Sequence, residues 1–481
     1  MESHLFYLNC RISMIVERPL PFISEYLNHL NSELRRIHPG CSLSSKQRLW
    51  LGFVLSTVLL TNSICWKRFE RASLGKFKHS ALSWMFCNSK IFFETLFETS
   101  IRQILSNYGI KEGVICIDDV DRNRSKSTKT IYGVHKLKDK LSGGFVNGQC
   151  LVFLVLITPT ATFPIGFEFF RPDPKLKAWK KEDERLKKQK IPKKQRPIEP
   201  DRNPDYPTKV QLSLQLLKRF QQNFPELKIK GVVADGLYGH AEFMDEAAEV
   251  FAAAQVITKM KYNQQVFHRN KYISVEQFFK QSPLVSQQVF LRGEGPLEVL
   301  VSSARLKVKS HGKKRFVIAI RYPDEKQPRY LMASDLTWRT LDIVQCFFFR
   351  WLIEVFFEDW KGHEGWGKLT KHPGEDGSRK SLILSLMLDH VLLFHHAQKA
   401  SLENKLPASS VGSLSQRIQA EALVQFVQDL AKDGIDEQKI KRLKENIDNI
   451  IPLNPSKKHM SHRVFPYMQP APGLKRFKHA A

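Results

Sequence analysis

Phe347-Phe348-Phe349-Arg350-Trp351-Leu352-Ile353-Glu354-Val355-Phe356-Phe357-Glu358-Asp359-Trp360-Lys361 is a helix-length stretch with a polar line along it. Phe347, Arg350, Glu354 and Lys361 fall within an arc of roughly 60° on a helical wheel. A second stripe, Val344, Phe348, Trp351 and Val355, follows the spacing of a buried helical face and is expected to meet a core. Arg350 and Glu354 alone read as an ordinary i, i+4 ion pair. All four residues on one face say more. A carboxylate flanked by two cations suits a metal held against a phosphate backbone, the acid binding the cation and the basic groups holding the polyanion.

Aromatic, two residues, Arg, three residues, Glu, six residues, Lys resembles the Y-R-E-K signature of bacterial insertion-sequence transposases with a DDE active site, those of the insertion sequence four type. Phe347 stands where that family usually has Tyr. The resemblance implies an RNase H-like α/β fold whose mixed-sheet catalytic core carries a β-rich insertion before the last catalytic helix, with helical N- and C-terminal regions. It also implies two aspartates upstream of Glu354, each at the end of a buried strand.

Both can be found. Val114-Ile115-Cys116-Ile117 ends in Asp118-Asp119, and Ile229 to Ala234 ends in Asp235-Gly236-Leu237-Tyr238-Gly239. Strand, acid and glycine turn is the shape of a site at the C-terminal edge of a sheet. The second stretch resembles the family's strand-D-x-x-Y-G element; the first has Val120 where Thr or Ser is common. Asp118 directly follows the strand residues and is taken as the first acid, although Asp119 stays open, and either aspartate also suits a turn or a helix cap. A calcium loop starting at Asp119 is excluded, because Arg124 replaces its glycine and Thr130 its glutamate.

The resemblance makes Asp118, Asp235 and Glu354 both catalytic and metal-binding. Arg350 and Lys361 are then expected on the terminal phosphates of DNA, with Phe347 and Tyr238 packed beside them. Three carboxylates suffice for two divalent ions about 3.5–4 Å apart, the arrangement that serves displacement at phosphorus. Magnesium suits the oxygen ligands, and manganese often substitutes. The implied partners are double-stranded DNA, as terminal inverted repeats and as target, and a second copy of the chain in a synaptic dimer.

Composition agrees with a polyanionic partner: 75 Lys+Arg against 48 Asp+Glu leave a formal net charge of +27 over 481 residues. Hydrophobic residues at 42%, with 33 Phe, indicate a folded chain with a sizeable core. Seven scattered cysteines show neither a C-x-x-C pair nor zinc spacing, and read as reduced, buried thiols of a cytosolic protein, which the resemblance places in the bacterial cytoplasm. No signal peptide opens the chain. Leu49 to Leu60 is too short to span a bilayer and reads as a core helix capped by Ser44 or Ser45.

Five regions are expected. Residues 1–108 form helices over Phe22–Arg36, Lys46–Thr61, Trp66–Ala72 and Ser80–Tyr108, and in the resembling family such a region binds the transposon ends. Residues 109–260 alternate strand and helix as the first part of the core. Within them 171–208, rich in proline and lysine, reads as a basic surface loop able to lie along DNA. Residues 261–336 are a β-rich insertion with strand character over Val285–Leu291, Glu298–Val301, Arg305–Lys309, Arg315–Arg321 and Arg329–Ala333; residues 337–402 hold the last core helices, and 403–481 are helical and then basic. In the family the β-rich insertion helps hold a hairpin at the DNA end, but with no Trp between Trp179 and Trp338 no wedge residue is assigned. His390, His395 and His396, set among Leu and Val, are expected to pack or face solvent rather than bind metal. Two other functions compete: an inactive transposase-derived DNA-binding protein, which has no need of three acids, and an RNase H-like nuclease that only hydrolyses.

Overall fold

The apolar run Val114–Ile117 becomes the centre of a strand because both of its faces are covered. Ile115, Cys116 and Ile117 are fully buried, as expected of a strand with parallel neighbours and helices on either side. The computed structural model describes residues 18–73, 75–124, 131–138, 143–290, 296–365, 374–404 and 408–433, with a few helical positions between 437 and 444. Cys10, Thr130, Trp366, Gly367 and the basic stretch Lys457–Lys478 lie outside the described residues.

Five helices come first: α1 (Pro21–Ile37), α2 (Ser45–Thr61), α3 (Trp66–Ala72), α4 (His79–Asn88) and α5 (Phe93–Asn107). Ser44 is the cap of α2. Its side chain accepts the Gln47 amide while Gln47 returns the bond to the Ser44 amide at 2.8 Å. Ser44→Ala is expected to cost about 1 kcal/mol, read as a lower urea midpoint with unchanged slope. The single helix expected over Ser80–Tyr108 is two, since Ser89 turns extended and its hydroxyl bonds back to the Met85 carbonyl, closing α4.

The sheet begins with β1 (Glu112–Asn123), β2 (His135–Lys138), β3 (Phe145–Ile157) and β4 (Thr162–Phe170). Next come α6 (Pro174–Lys188), α7 (Lys209–Asn223), β5 (Lys228–Ala234), α8 (Ala241–Val250) and β6 (Gln255–Met260). Strand β3 pairs antiparallel with β1 and with β4, whereas β5 is parallel to β1 and β6 parallel to β5. The spatial order β4-β3-β1-β5-β6 is that of an RNase H-like core.

The segment expected as one long loop is half helix. Asp173 accepts the amides of Lys175 and Leu176, and Pro174 occupies the first helical position, so α6 starts on a strong cap despite its polar composition. It is a surface helix all the same, with Asp183 its only buried residue.

The insertion contains β7 (Gln265–His268), β8 (Lys271–Ser274), α9 (Val275–Lys280), β9 (Val285–Phe290), β10 (Pro296–Val308), β11 (Lys314–Arg321) and β12 (Arg329–Ala333). It prolongs the core sheet, because β12 pairs antiparallel with β6 and carries β11, β10, β7 and β8 outward. Strands expected separately at Glu298–Val301 and Arg305–Lys309 are the one strand β10, paired with β11 from Leu300 to Lys307.

The last helices are α10 (Thr340–Phe348), α11 (Arg350–His363), α12 (Glu375–Leu392), α13 (His396–Glu403) and α14 (Val411–Asp433). Helix α12 packs against α2, α5 and β4, so the N-terminal helices and the sheet share one continuous core. His390 lies inside it, bonded to Ser100 Oγ at 2.7 Å and to the Pro164 carbonyl at 2.8 Å and stacked on Phe97. No helix among the described residues is long and apolar enough to cross a membrane. The thiols are less uniformly buried than expected: Cys116, Cys150 and Cys346 are inside, Cys41 and Cys65 partly exposed, and Cys87 exposed.

Candidate active site

Parallel pairing of β1 with β5 sets Ile117 beside Ala234, so the chain delivers Asp118 and Asp235 side by side at the C-terminal edge of the sheet. Adjacent positions of parallel strands point to the same face, and consecutive positions of one strand to opposite faces. Asp118 therefore looks toward α11, while Asp119 looks the other way. The contacts agree. Asp118 Oδ2 accepts Arg350 Nη1 at 3.1 Å, whereas Asp119 Oδ2 takes Lys209 Nζ of α7 at 2.6 Å and lies 3.8 Å from the Cys150 thiol.

Arg350 joins the acids. Its second terminal nitrogen reaches Glu354 Oε1 at 2.5 Å, one turn along α11, and its charge also helps hold Asp235 ionised. Burial pushes the Asp118 carboxyl up to about 6, against the pull of the Asp119 amide and Arg350 and with the help of Asp119 and Asp235. Burial also acts to raise Asp235, but the Gly236 amide, Lys259 and Arg350 outweigh it and hold this carboxyl below its ordinary value. Glu354 is the most open of the three, with 49% of its side chain exposed.

Two of the residues expected on DNA sit differently. The stretch read as one helix bends at Phe349, where amide bonds span three residues instead of four, so Phe347 belongs to α10 and packs against the core. The buried side of α11 is Ile353, Phe356, Phe357 and Trp360. Trp351, expected in the core, is 50% exposed, and Val355 only partly buried. Tyr238 is fully buried, its ring against Phe243 and its hydroxyl without a hydrogen-bond partner among the described residues. Arg350, Glu354 and Lys361 do remain on one face of α11. Lys361 lies in its last turn, 6.0 Å from the Phe357 ring centre.

Lys259 was missed in the sequence. Its ammonium stands 3.4 Å from Asp235 Oδ1. Ala234 pairs with Thr258, so the residue after each is level across the strands, and Lys259 is to β6 what Asp235 is to β5. The strand-forming run Gln255–Thr258, with Val256 and Ile257 at its centre, followed by lysine carried that signal.

Asp118 and Asp235 stand level on paired strands and Arg350 ties Glu354 to Asp118, so three hard carboxylates are brought to one sheet edge, a donor set whose chemistry fits a divalent cation. Among the described residues the Tyr238 hydroxyl, in the field of Asp119, Asp118, Cys150 and Asp235, has no hydrogen-bond partner. Among the described residues two groups, neither of them Asp118, Asp235 and Glu354, bring ligand atoms within 4.8 Å of one another: Asp119, Asp121 and Cys150 on the α7 face of the sheet, and His395, His396 and Glu421. The latter is held as a hydrogen-bonded network, with the His395 Nδ1 accepting the Ala397 amide and Arg417 bonded to Glu421.

Residues 71–284 match the family of DDE superfamily endonucleases. No curated protein matches the chain. The match spans α4 to α9 and takes in Asp118, Asp119 and Asp235, ending before Glu354. It supports a DDE transposase-type protein with nuclease-type activity on nucleic acid, in a superfamily whose members use divalent metals.

Proposed function

We propose that the protein is a DNA transposase of the insertion sequence four type, which cleaves DNA at the ends of its own mobile element and joins those ends to a target. The observation that carries this reading is the bridge from Asp118 through Arg350 to Glu354, with Asp235 beside it, which gathers residues separated by more than two hundred positions on one sheet edge. Asp118, Asp235 and Glu354 would hold magnesium or manganese, which when bound eases charge build-up on the attacking and leaving oxygens. Arg350 offers a planar guanidinium for a phosphate, and Lys361 extends the same basic line about 16 Å along α11. Tyr238 packs beside the acids, and Phe347 fixes the end of α10 against the core. The lysines of α6 add sequence-independent attraction for the DNA backbone. Residues 1–108 are assigned to DNA-end recognition, and the paired cleavage of two ends calls for a dimer.

The test is cleavage of DNA carrying the inverted repeats that flank the gene, with magnesium, followed by joining to a plasmid. The wild-type chain is expected to cut and join, and Glu354→Gln to do neither while still binding DNA. Cutting without joining would make the protein a hydrolytic nuclease of the same fold. Binding without cutting by the wild type would leave a transposase-derived binding protein.

A further inference from the structure

We infer that Arg350 and Lys259 are resident counter-ions of the three acids, which oppose divalent metal until DNA phosphates draw them away, so that metal and DNA bind cooperatively. This rests on the metal-binding reading of Asp118, Asp235 and Glu354 and goes beyond it by assigning a coupling between the two ligands.

The acids are already engaged within the protein. Asp118 Oδ1 accepts the Asp119 amide at 2.8 Å and Oδ2 accepts Arg350 at 3.1 Å. Glu354 Oε1 is taken by the other arm of the same guanidinium. Asp235 Oδ1 faces Lys259 at 3.4 Å, a pairing set by the register of β5 and β6. Three negative charges thus carry two positive ones. Only 14% of the Arg350 side chain is exposed, so water screens its pairs weakly.

A divalent cation entering this group meets two resident charges of its own sign, and the oxygens it needs are partly occupied. Arg350 must turn outward, and so must Lys259. Each has one obvious alternative partner, an oxygen of the phosphate backbone lying across the acids, and for Arg350 that exchange keeps a charge-assisted pair of hydrogen bonds. Once the cations have moved to phosphate, the acids regain their full negative charge at the moment the substrate is in place. Linkage makes the effect mutual: whatever factor DNA adds to metal affinity, metal adds to DNA affinity.

The experiment is manganese titration, followed by electron paramagnetic resonance and calorimetry, of the full chain with and without an oligonucleotide duplex carrying an element end. Without DNA, Arg350→Gln and Lys259→Gln are each expected to bind manganese more tightly than wild type, by roughly fivefold or more. DNA is expected to raise wild-type affinity by a similar factor, and to have less than about a twofold effect in the double variant. Equal or weaker manganese binding by both single variants overturns the proposal, since side chains that merely orient the acids would lower affinity when removed. Asp118→Asn and Glu354→Gln, made on the Lys259→Gln background, keep the two readings apart. If neither loses manganese, the metal site itself is elsewhere. If both lose it while the counter-ion variants gain nothing, the site stands and the coupling fails.

Discussion

Asp118→Asn is expected to lower metal-dependent strand cleavage on the order of 10³-fold or more, while Asp119→Asn loses no more than about tenfold. The two neighbours are chemically identical and differ only in which way the strand turns them. Asp118 shares its face of β1 with Arg350, Asp235 and, through Arg350, Glu354. Asp119 is spent on Lys209 and the Cys150 side, where it ties α7 to the sheet. Its loss leaves a largely buried ammonium without a carboxylate, so the variant is expected to be less stable by about 1–3 kcal/mol even though its chemistry survives. Cleavage rates and urea midpoints on the same preparations separate the two effects. A larger activity loss for Asp119→Asn than for Asp118→Asn would reverse the assignment of the first acid.

Alternation along β1 is what the sequence could not orient. Two consecutive aspartates after an apolar run are legible as a strand end, but which one faces the third acid depends on which side of the sheet α11 lands, and that is a tertiary fact. The element that was easiest to read was partly misread for a related reason. Apolar residues surround the polar line from Phe347 to Lys361 on both sides, giving two candidate core stripes. Val344, Phe348, Trp351 and Val355 are regular only if the helix is unbroken. The bend at Phe349 lets α11 bury Ile353, Phe356, Phe357 and Trp360 instead, on the opposite side of the wheel, and Trp360 Nε1 is satisfied there by Ser385 Oγ at 2.9 Å. The polar line survived because Arg350, Glu354 and Lys361 all fall after the bend.

The order of the core strands was legible from their apolar runs and the turn residues between them. Pairing beyond β6 was not: nothing local in Arg329–Ala333 states that this strand joins β6 and so makes the insertion an extension of the same sheet. Helix α6 was hidden by composition, its lysines and prolines outweighing the one informative pair, Asp173-Pro174. The partners of Asp235 and Asp118 were half visible, Arg350 from its spacing and Lys259 only once β6 is laid in register beside β5.

Raising the pH from 5 to 8 is expected to weaken the fold through a carboxyl pair at the end of α11, and Glu364→Gln to remove most of that effect. Glu364 is fully buried, and its carboxyl meets that of Asp389, with which it shares a proton as a hydrogen bond. Its backbone carbonyl is fixed by Ser385 Oγ at 2.7 Å, so the side chain cannot leave. Burial drives its carboxyl well above the ordinary range, with Asp389 of α12 and Asp359 of α11 adding repulsion. Asp389 is itself pushed up to about 7 by burial and by Asp359. His363 beside Asp359 offers the nearby positive charge that partly offsets the group. The sign follows from proton counting: between the unfolded carboxyl value near 4 and the raised folded values, the native state holds protons that the unfolded chain has released, so stability is full at low pH and falls as pH rises through this window. Each such proton contributes a slope of up to about 1.4 kcal/mol per pH unit. With a net charge of +27 the whole molecule also responds to pH, so the measurement is the difference between wild type and Glu364→Gln in urea at each pH. The variant is expected to exceed wild type by about 1 kcal/mol or more at pH 8 and to match it near pH 5, because glutamine keeps the shape of the protonated acid without its titration. A variant equally destabilised at both values would mean that the carboxyl is held by packing alone and carries no shared proton.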